Sequence, residues 1–154
     1  MKTMLLSLLV LISDLAIAEP HTIHMMHQTS NVEAQDINHM FRFEPNYLRI
    51  EPGDTVRFSG TIGEHTITSV QRMLPQGAEH IEINSVPGKE IKFDIPGVYG
   101  LKCRVHNRYG MVALLVVGEP VNLEEAKTFR LRRFGKIEME GLLQKLEQEQ
   151  AKLR

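Results

Sequence analysis

Four side chains in this sequence could do chemistry together: His65, Cys103, His106 and Met111. Three of them share one stretch of nine positions, Cys103-Arg104-Val105-His106-Asn107-Arg108-Tyr109-Gly110-Met111. His65 stands well upstream, in Gly63-Glu64-His65-Thr66-Ile67, and Cys103 is the only cysteine. Two imidazoles, a thiolate and a thioether are the donor set of a copper electron-transfer site. The sulfur donors favour Cu(I), imidazole accepts both oxidation states, and the mixture lets a bound ion cycle. Metal binding requires the thiol ionised and both rings neutral. Zinc would accept the same histidines and cysteine, but methionine has no role on zinc. A catalytic Cys–His pair would need an orienting acid and an oxyanion motif, and neither accompanies these residues. The blandest reading is a structural cysteine with incidental histidines. Four donors of the right types at this spacing weigh against it.

Such donors need a rigid frame, and the chain from His21 to Val117 reads as short strands separated by turns. Tyr47-Leu48-Arg49-Ile50 runs into the turn Glu51-Pro52-Gly53-Asp54, and Thr55-Val56-Arg57-Phe58 alternates sides. Ile91, Phe93 and Ile95 alternate with Lys92 and Asp94, the period of a half-buried strand. Pro96-Gly97 turns the chain into Val98–Cys103, and Met111–Val117 is a continuous apolar run suited to a strand buried on both faces. This spacing of strands and Pro/Gly turns predicts a β-sandwich. After Gly118 the pattern becomes helical. Asn122 with Glu125 predicts a capped helix, with Arg130, Arg132 and Arg133 at its C-terminal end, and Gly135 is expected to break it. A second helix is expected from Lys136 to about Leu153, with Met139, Leu142, Leu143, Leu146 and Leu153 on one stripe. The tail is expected to fold back on the sandwich.

The N-terminus reads as an export signal. Lys2 is a short positive region, Met4–Ile12 is apolar except for Ser7, and Ala16-Ile17-Ala18 offers small residues for cleavage before Glu19. The apolar run is shorter than the ~20 residues a membrane-spanning helix needs. The expected divisions are residues 1–18 as signal peptide, 19–118 as the metal-binding sandwich and 119–154 as a helical extension of the same domain. A lone cysteine in an exported protein cannot form an internal disulfide, which favours a ligand role. The formal net charge of −1 gives no argument for nucleic acid as a partner.

Further pieces carry a family resemblance. They are Phe43-Glu44-Pro45, Pro52-Gly53-Asp54-Thr55-Val56, Pro75-Gln76-Gly77-Ala78-Glu79, Pro96-Gly97-Val98-Tyr99, Lys102-Cys103 with His106 and Met111, and the two-helix tail. Together they resemble the cupredoxins, the type 1 blue copper proteins, and among them the pseudoazurin branch, over nearly the whole chain after the signal. The resemblance implies an all-β Greek-key sandwich of about eight strands, with two C-terminal α-helices packed on it. It implies one type 1 copper ion held by His65, Cys103 and His106 as strong ligands and Met111 as a weak axial one. It implies a monomeric periplasmic shuttle of single electrons, not an enzyme, donating to denitrification enzymes such as copper nitrite reductase. Three positions depart from the family habit. Val105 stands where proline is common, Thr66 follows the upstream histidine where asparagine is common, and Tyr109 is larger than usual. Thr29–Asn38 looks like an insertion before the second strand.

Lys102, Arg104 and Arg108 surround His106 and form a rim suited to steering redox partners with acidic docking faces. The charges at Glu138, Glu140, Lys145, Glu147 and Glu149 read as a solvated helix face. His21-Thr22-Ile23-His24-Met25-Met26-His27, with His39-Met40, is rich in soft donors, which raises a rival function of copper carriage and delivery. Alternation in a first strand would split those donors between two faces, as in an ordinary edge strand.

Overall fold

The computed structural model describes residues 20–27, 40–60, 65–84 and 88–153. The segments expected to form the signal peptide and the Thr29–Asn38 insertion lie outside the described residues, as does His39. Among the described residues, nine strands build two sheets: β1 (His21–His27), β2 (Phe41–Glu44), β3 (Tyr47–Ile50), β4 (Asp54–Gly60), β5 (Thr66–Ser69), β6 (Glu82–Asn84), β7 (Lys89–Phe93), β8 (Gly97–Lys102) and β9 (Val112–Val117). One sheet has the order β2-β1-β4-β7 and the other β3-β9-β8-β5-β6. β1 runs parallel to β4 and β3 parallel to β9, and the remaining pairs are antiparallel. Two helices follow, α1 (Leu123–Ala126) and α2 (Arg133–Lys152). This is the expected two-sheet sandwich with a helical tail.

The apolar run of β9 explains the layering. Ala113, Leu115 and Val117 enter the core between the sheets, beside Ile23, Phe43, Val56, Phe58 and Leu101. Val112, Leu114 and Val116 face the other way, into a second core with Met139, Leu142, Leu143 and Leu146 of α2. Every residue of β9 is therefore buried. Each such aliphatic side chain contributes roughly 1.5–3 kcal/mol on leaving water, so the tail is held by burial of its stripe.

The tail departs from expectation in detail. α1 is only four residues long, and Asn122 makes no capping hydrogen bond. Its amide serves β8 instead: the Val98 N–H donates to Asn122 Oδ1 (2.6 Å), and Asn122 Nδ2 donates to the Val98 carbonyl (3.0 Å). The side chain stands in for a strand neighbour. Arg130 consequently lies in a connecting segment, and Arg132 and Arg133 stand at the N-terminal end of α2 and not at the C-terminal end of α1, because Phe129 and Leu131 are drawn into the second core. α2 begins at Arg133, so Gly135 lies inside it and does not break a helix. A Cβ on Gly135 would lie 2.3 Å from the Asn107 carbonyl oxygen, so glycine is required by close approach. Leu153 falls beyond the helix and is 77% exposed, outside the buried stripe.

Candidate metal centre

β8 delivers Cys103 at its end, and the chain then loops through a short 3-10 turn, Asn107–Tyr109, before entering β9 after Met111. Backbone bonds close this loop. The Cys103 N–H donates to the Met111 carbonyl (3.0 Å), Asn107 N–H to the Cys103 carbonyl (3.0 Å) and Tyr109 N–H to the His106 carbonyl (2.9 Å). Gly110 takes a left-handed conformation at φ 98° that ends the turn, and its N–H reaches the Asn107 carbonyl (3.0 Å). The Asn107 amide donates to the carbonyls of Cys103 (2.9 Å) and Arg104 (2.8 Å). Asn107 thus pins the loop from within, a role the sequence reading missed. Its short amide beside a turn was the available signal.

His65 arrives from the neighbouring strand. β5 pairs with β8 through Thr68↔Lys102 and Ser69↔Leu101, which sets His65 beside the ligand loop. Continuing that register brings Thr66 opposite Arg104, where regular pairing has stopped. The Thr66 hydroxyl fills the gap: it accepts the Arg104 N–H at 2.8 Å and lies 4.0 Å from Cys103 Sγ, toward which it can donate. Thr66 therefore ties the two ligand-bearing segments together, the task the resemblance gives to asparagine.

The donors converge. His65, Cys103 and His106 place ligand atoms within 4.8 Å of one another, the one such group of His, Cys or acidic residues among the described residues. The two Nδ1 atoms are 3.1 Å apart, and Cys103 Sγ is 3.6 Å from His106 Nδ1. Bonds of ~2.0 Å to nitrogen and ~2.3 Å to sulfur allow one ion to span such separations. Met111, at the far end of the loop, is fully buried. Cys103 and His65 are buried as well, whereas His106 is only partly buried. Burial opposes ionisation of the Cys103 thiol. Hydrogen bonds from the backbone at Thr66, His106 and Val105, with the charge of His106 nearby, outweigh that and hold the thiol below its ordinary value. The soft and borderline donors, the closed loop and the ionisable thiol suit copper.

Aromatic rings frame the site. Phe41 stacks on His106, with centroids 3.9 Å apart and planes 5° from parallel. It also presents an edge to His65 at 6.0 Å and neighbours Tyr109 at 6.0 Å. Phe41 escaped the sequence reading because the β1–β2 pairing that carries it here, His27↔Phe41, is a long-range register. The other histidines of β1 do not form a second cluster. His24 is exposed and bonded to Ser59 (2.8 Å), His21 meets Asp54 (3.1 Å), and Ile23 and Met25 point inward.

The family profile described as copper binding proteins, plastocyanin/azurin family, matches residues 28–118. A pseudoazurin from Methylorubrum extorquens is 35% identical over 109 residues, 70% of this chain and 74% of the relative. One from Paracoccus pantotrophus is 32% identical over 135 residues, 84% and 88% of the two chains. Among solved structures, the pseudoazurin from Methylobacterium extorquens AM1 superposes with a TM-score of 0.71 at 29% identity, covering 83% of this chain and 99% of that one. The chain belongs to the plastocyanin/azurin family of copper-binding proteins, the cupredoxins. Its fold and relatives place it with the pseudoazurins, as an electron carrier that uses copper and not as an enzyme. No helix among the described residues is long and apolar enough to cross a membrane.

Proposed function

We propose that this chain is a periplasmic, monomeric type 1 copper protein that carries single electrons to denitrification enzymes, copper nitrite reductase among them. His65, Cys103 and His106 would hold the copper as strong ligands and Met111 would be the weak fourth one. Bound copper supplies a centre that accepts and returns one electron. The protein's part is to hold the donors still. The backbone-closed loop, the Thr66 bridge and the Phe41 stack keep the ligands in one arrangement in either oxidation state, so little reorganisation accompanies the charge change. Residues 1–18 serve as the export signal, 19–118 as the copper-binding sandwich and 119–154 as its helical extension.

The observation that carries the reading is the difference in exposure within one converged donor group: His65 and Cys103 are buried, and His106 reaches solvent. The His106 ring edge is then the exit for the electron. Cyclic voltammetry of the copper-loaded protein tests this function. A reversible one-electron wave, with rapid oxidation of the reduced protein by copper nitrite reductase, is expected. A colourless Cu(I) protein that surrenders its ion to a chelator and shows no wave would point to metal delivery instead.

A further inference from the structure

Beside the ligand loop the structure contains a groove of about 570 Å³ that the sequence reading did not assemble. One wall is the end of β8 and the loop that follows it, with Lys102, Arg104 and Arg108. The other is the segment leading into α2, with Arg130, Arg132 and Arg133. Among the described residues, no acidic side chain lines it. Among the described residues, Arg104 alone of the six has an ion pair, with Glu82 at 3.0 Å. The chain as a whole has a formal net charge of −1, so the charges of the sequence outside these six cations sum to a negative value.

The second wall is built, not incidental. In Phe129-Arg130-Leu131-Arg132, the apolar residues pack into the tail core and the arginines are exposed. Arg132 is extended at φ −128°, ψ 158°, which continues the alternation. Gly135 then docks the start of α2 directly against the Asn107 carbonyl and fixes the wall to the ligand loop. Gathering like charges costs stability through mutual repulsion, and no carboxylate in the lining offsets it.

We infer that this groove seats a carboxylate-rich segment of the redox partner, so that the C-terminal extension is half of the docking surface. The inference rests on the reading that His106 passes electrons to another protein. Five of the six cations are arginines, whose planar forks bind carboxylates bidentately. The groove adjoins the loop that bears His106, so a segment held there brings its parent protein against the exit ring. Exposed Val105, also in the lining, supplies an apolar contact at the loop side of the groove. A nucleic acid strand suits the surface less well, because the net negative remainder of the chain would repel a long polyanion.

The test is an NMR titration of the Cu(I)-loaded protein with hexaglutamate, with a hexadeoxynucleotide as a second arm. Amide shifts at both walls, Lys102–Arg108 and Arg130–Arg133, are expected, fading as salt rises. The variant R130E/R132E/R133E should weaken hexaglutamate binding by roughly tenfold or more. Its visible spectrum after copper loading should match wild type and certify the fold, and R130Q/R132Q/R133Q should lie between the two. Shifts confined to the ligand loop and unchanged by the triple variants would overturn the proposal. So would tighter binding of the hexadeoxynucleotide than of hexaglutamate. A protein without blue colour or a reversible wave would instead remove the electron-transfer reading, whatever the groove binds.

Discussion

The hydroxyl of Thr66 has two partners on the ligand loop, the Arg104 N–H and the Cys103 sulfur. Thr66→Val keeps the shape and removes both. Leaving the Arg104 N–H without its acceptor should cost about 1–3 kcal/mol in chemical denaturation. Losing a donor to the sulfur should lower the reduction potential, because hydrogen bonds to a thiolate favour the more electron-rich, reduced state. Thr66→Ser restores the hydroxyl and should restore both quantities. A wild-type potential in Thr66→Val would show that the 4.0 Å contact carries no influence. Met111→Leu should act in the opposite sense: visible colour is kept and the potential rises, because a donor that stabilises Cu(II) is gone. At this scale the sequence was informative about identity and silent about support. The donors His65, Cys103, His106 and Met111 stood out because their types and spacing are rare. Phe41, Asn107 and the bridging by Thr66 did not, because each acts through a contact that exists only after strands far apart in the chain have paired.

Among the elements, β9 and α2 are the pair on which the tail depends. The apolar run of β9 announced burial on both faces, and the Met139, Leu142, Leu143, Leu146 stripe announced a packed helix. What was not legible was how closely α2 approaches the ligand loop, since Gly135 reads equally as a breaker and as a contact. The distinction is measurable. Gly→Ala inside a helix usually stabilises by roughly 0.5–1 kcal/mol. At Gly141, where a Cβ meets nothing within 4 Å, that gain is expected. At Gly135 a clash with backbone replaces it, and Gly135→Ala should destabilise by roughly 1–3 kcal/mol and perturb the visible spectrum. Thermal melts of the two variants should move in opposite directions, and a shared direction would refute the close-approach argument. The far end of α2 is clasped by Tyr47, whose hydroxyl donates to Glu149 at 2.5 Å while Lys145 lies over its ring at 4.1 Å. Burial, then this hydrogen bond, pushes the Tyr47 pKa up to about 12 from 10.0. A folded-state value above the unfolded one means the contribution is intact below pH 10 and is lost as pH rises through about 12. Tyr47→Phe should therefore flatten the loss of stability across that interval, as read by denaturant midpoints at stepped pH.

For the molecule as a whole, basic charge and the candidate ligand cluster meet at one end of the sandwich. Net charge near zero concealed this, because composition cannot report that the ligand loop and the segment before α2 fold into neighbouring walls. Arg104→Glu with Arg108→Glu should slow electron transfer to an acidic partner at low salt and leave the visible spectrum unchanged. The deficit should shrink as ionic strength rises, since screening sets in beyond ~8 Å at physiological salt. Equal stopped-flow rates for variant and wild type at low salt would remove the steering argument and leave the copper assignment standing. The fold was legible from turn spacing and alternation, while the tail geometry depended on where Asn122, Phe129 and Leu131 found partners. The central claim, that Cys103 binds copper through its sulfur in concert with His65 and His106, is tested most directly by one visible spectrum. Wild type and Cys103→Ser are each loaded with Cu(II) and recorded side by side. Intense absorption from sulfur-to-copper charge transfer in the wild type, absent in Cys103→Ser, is the predicted result; the same spectrum from both proteins would contradict it.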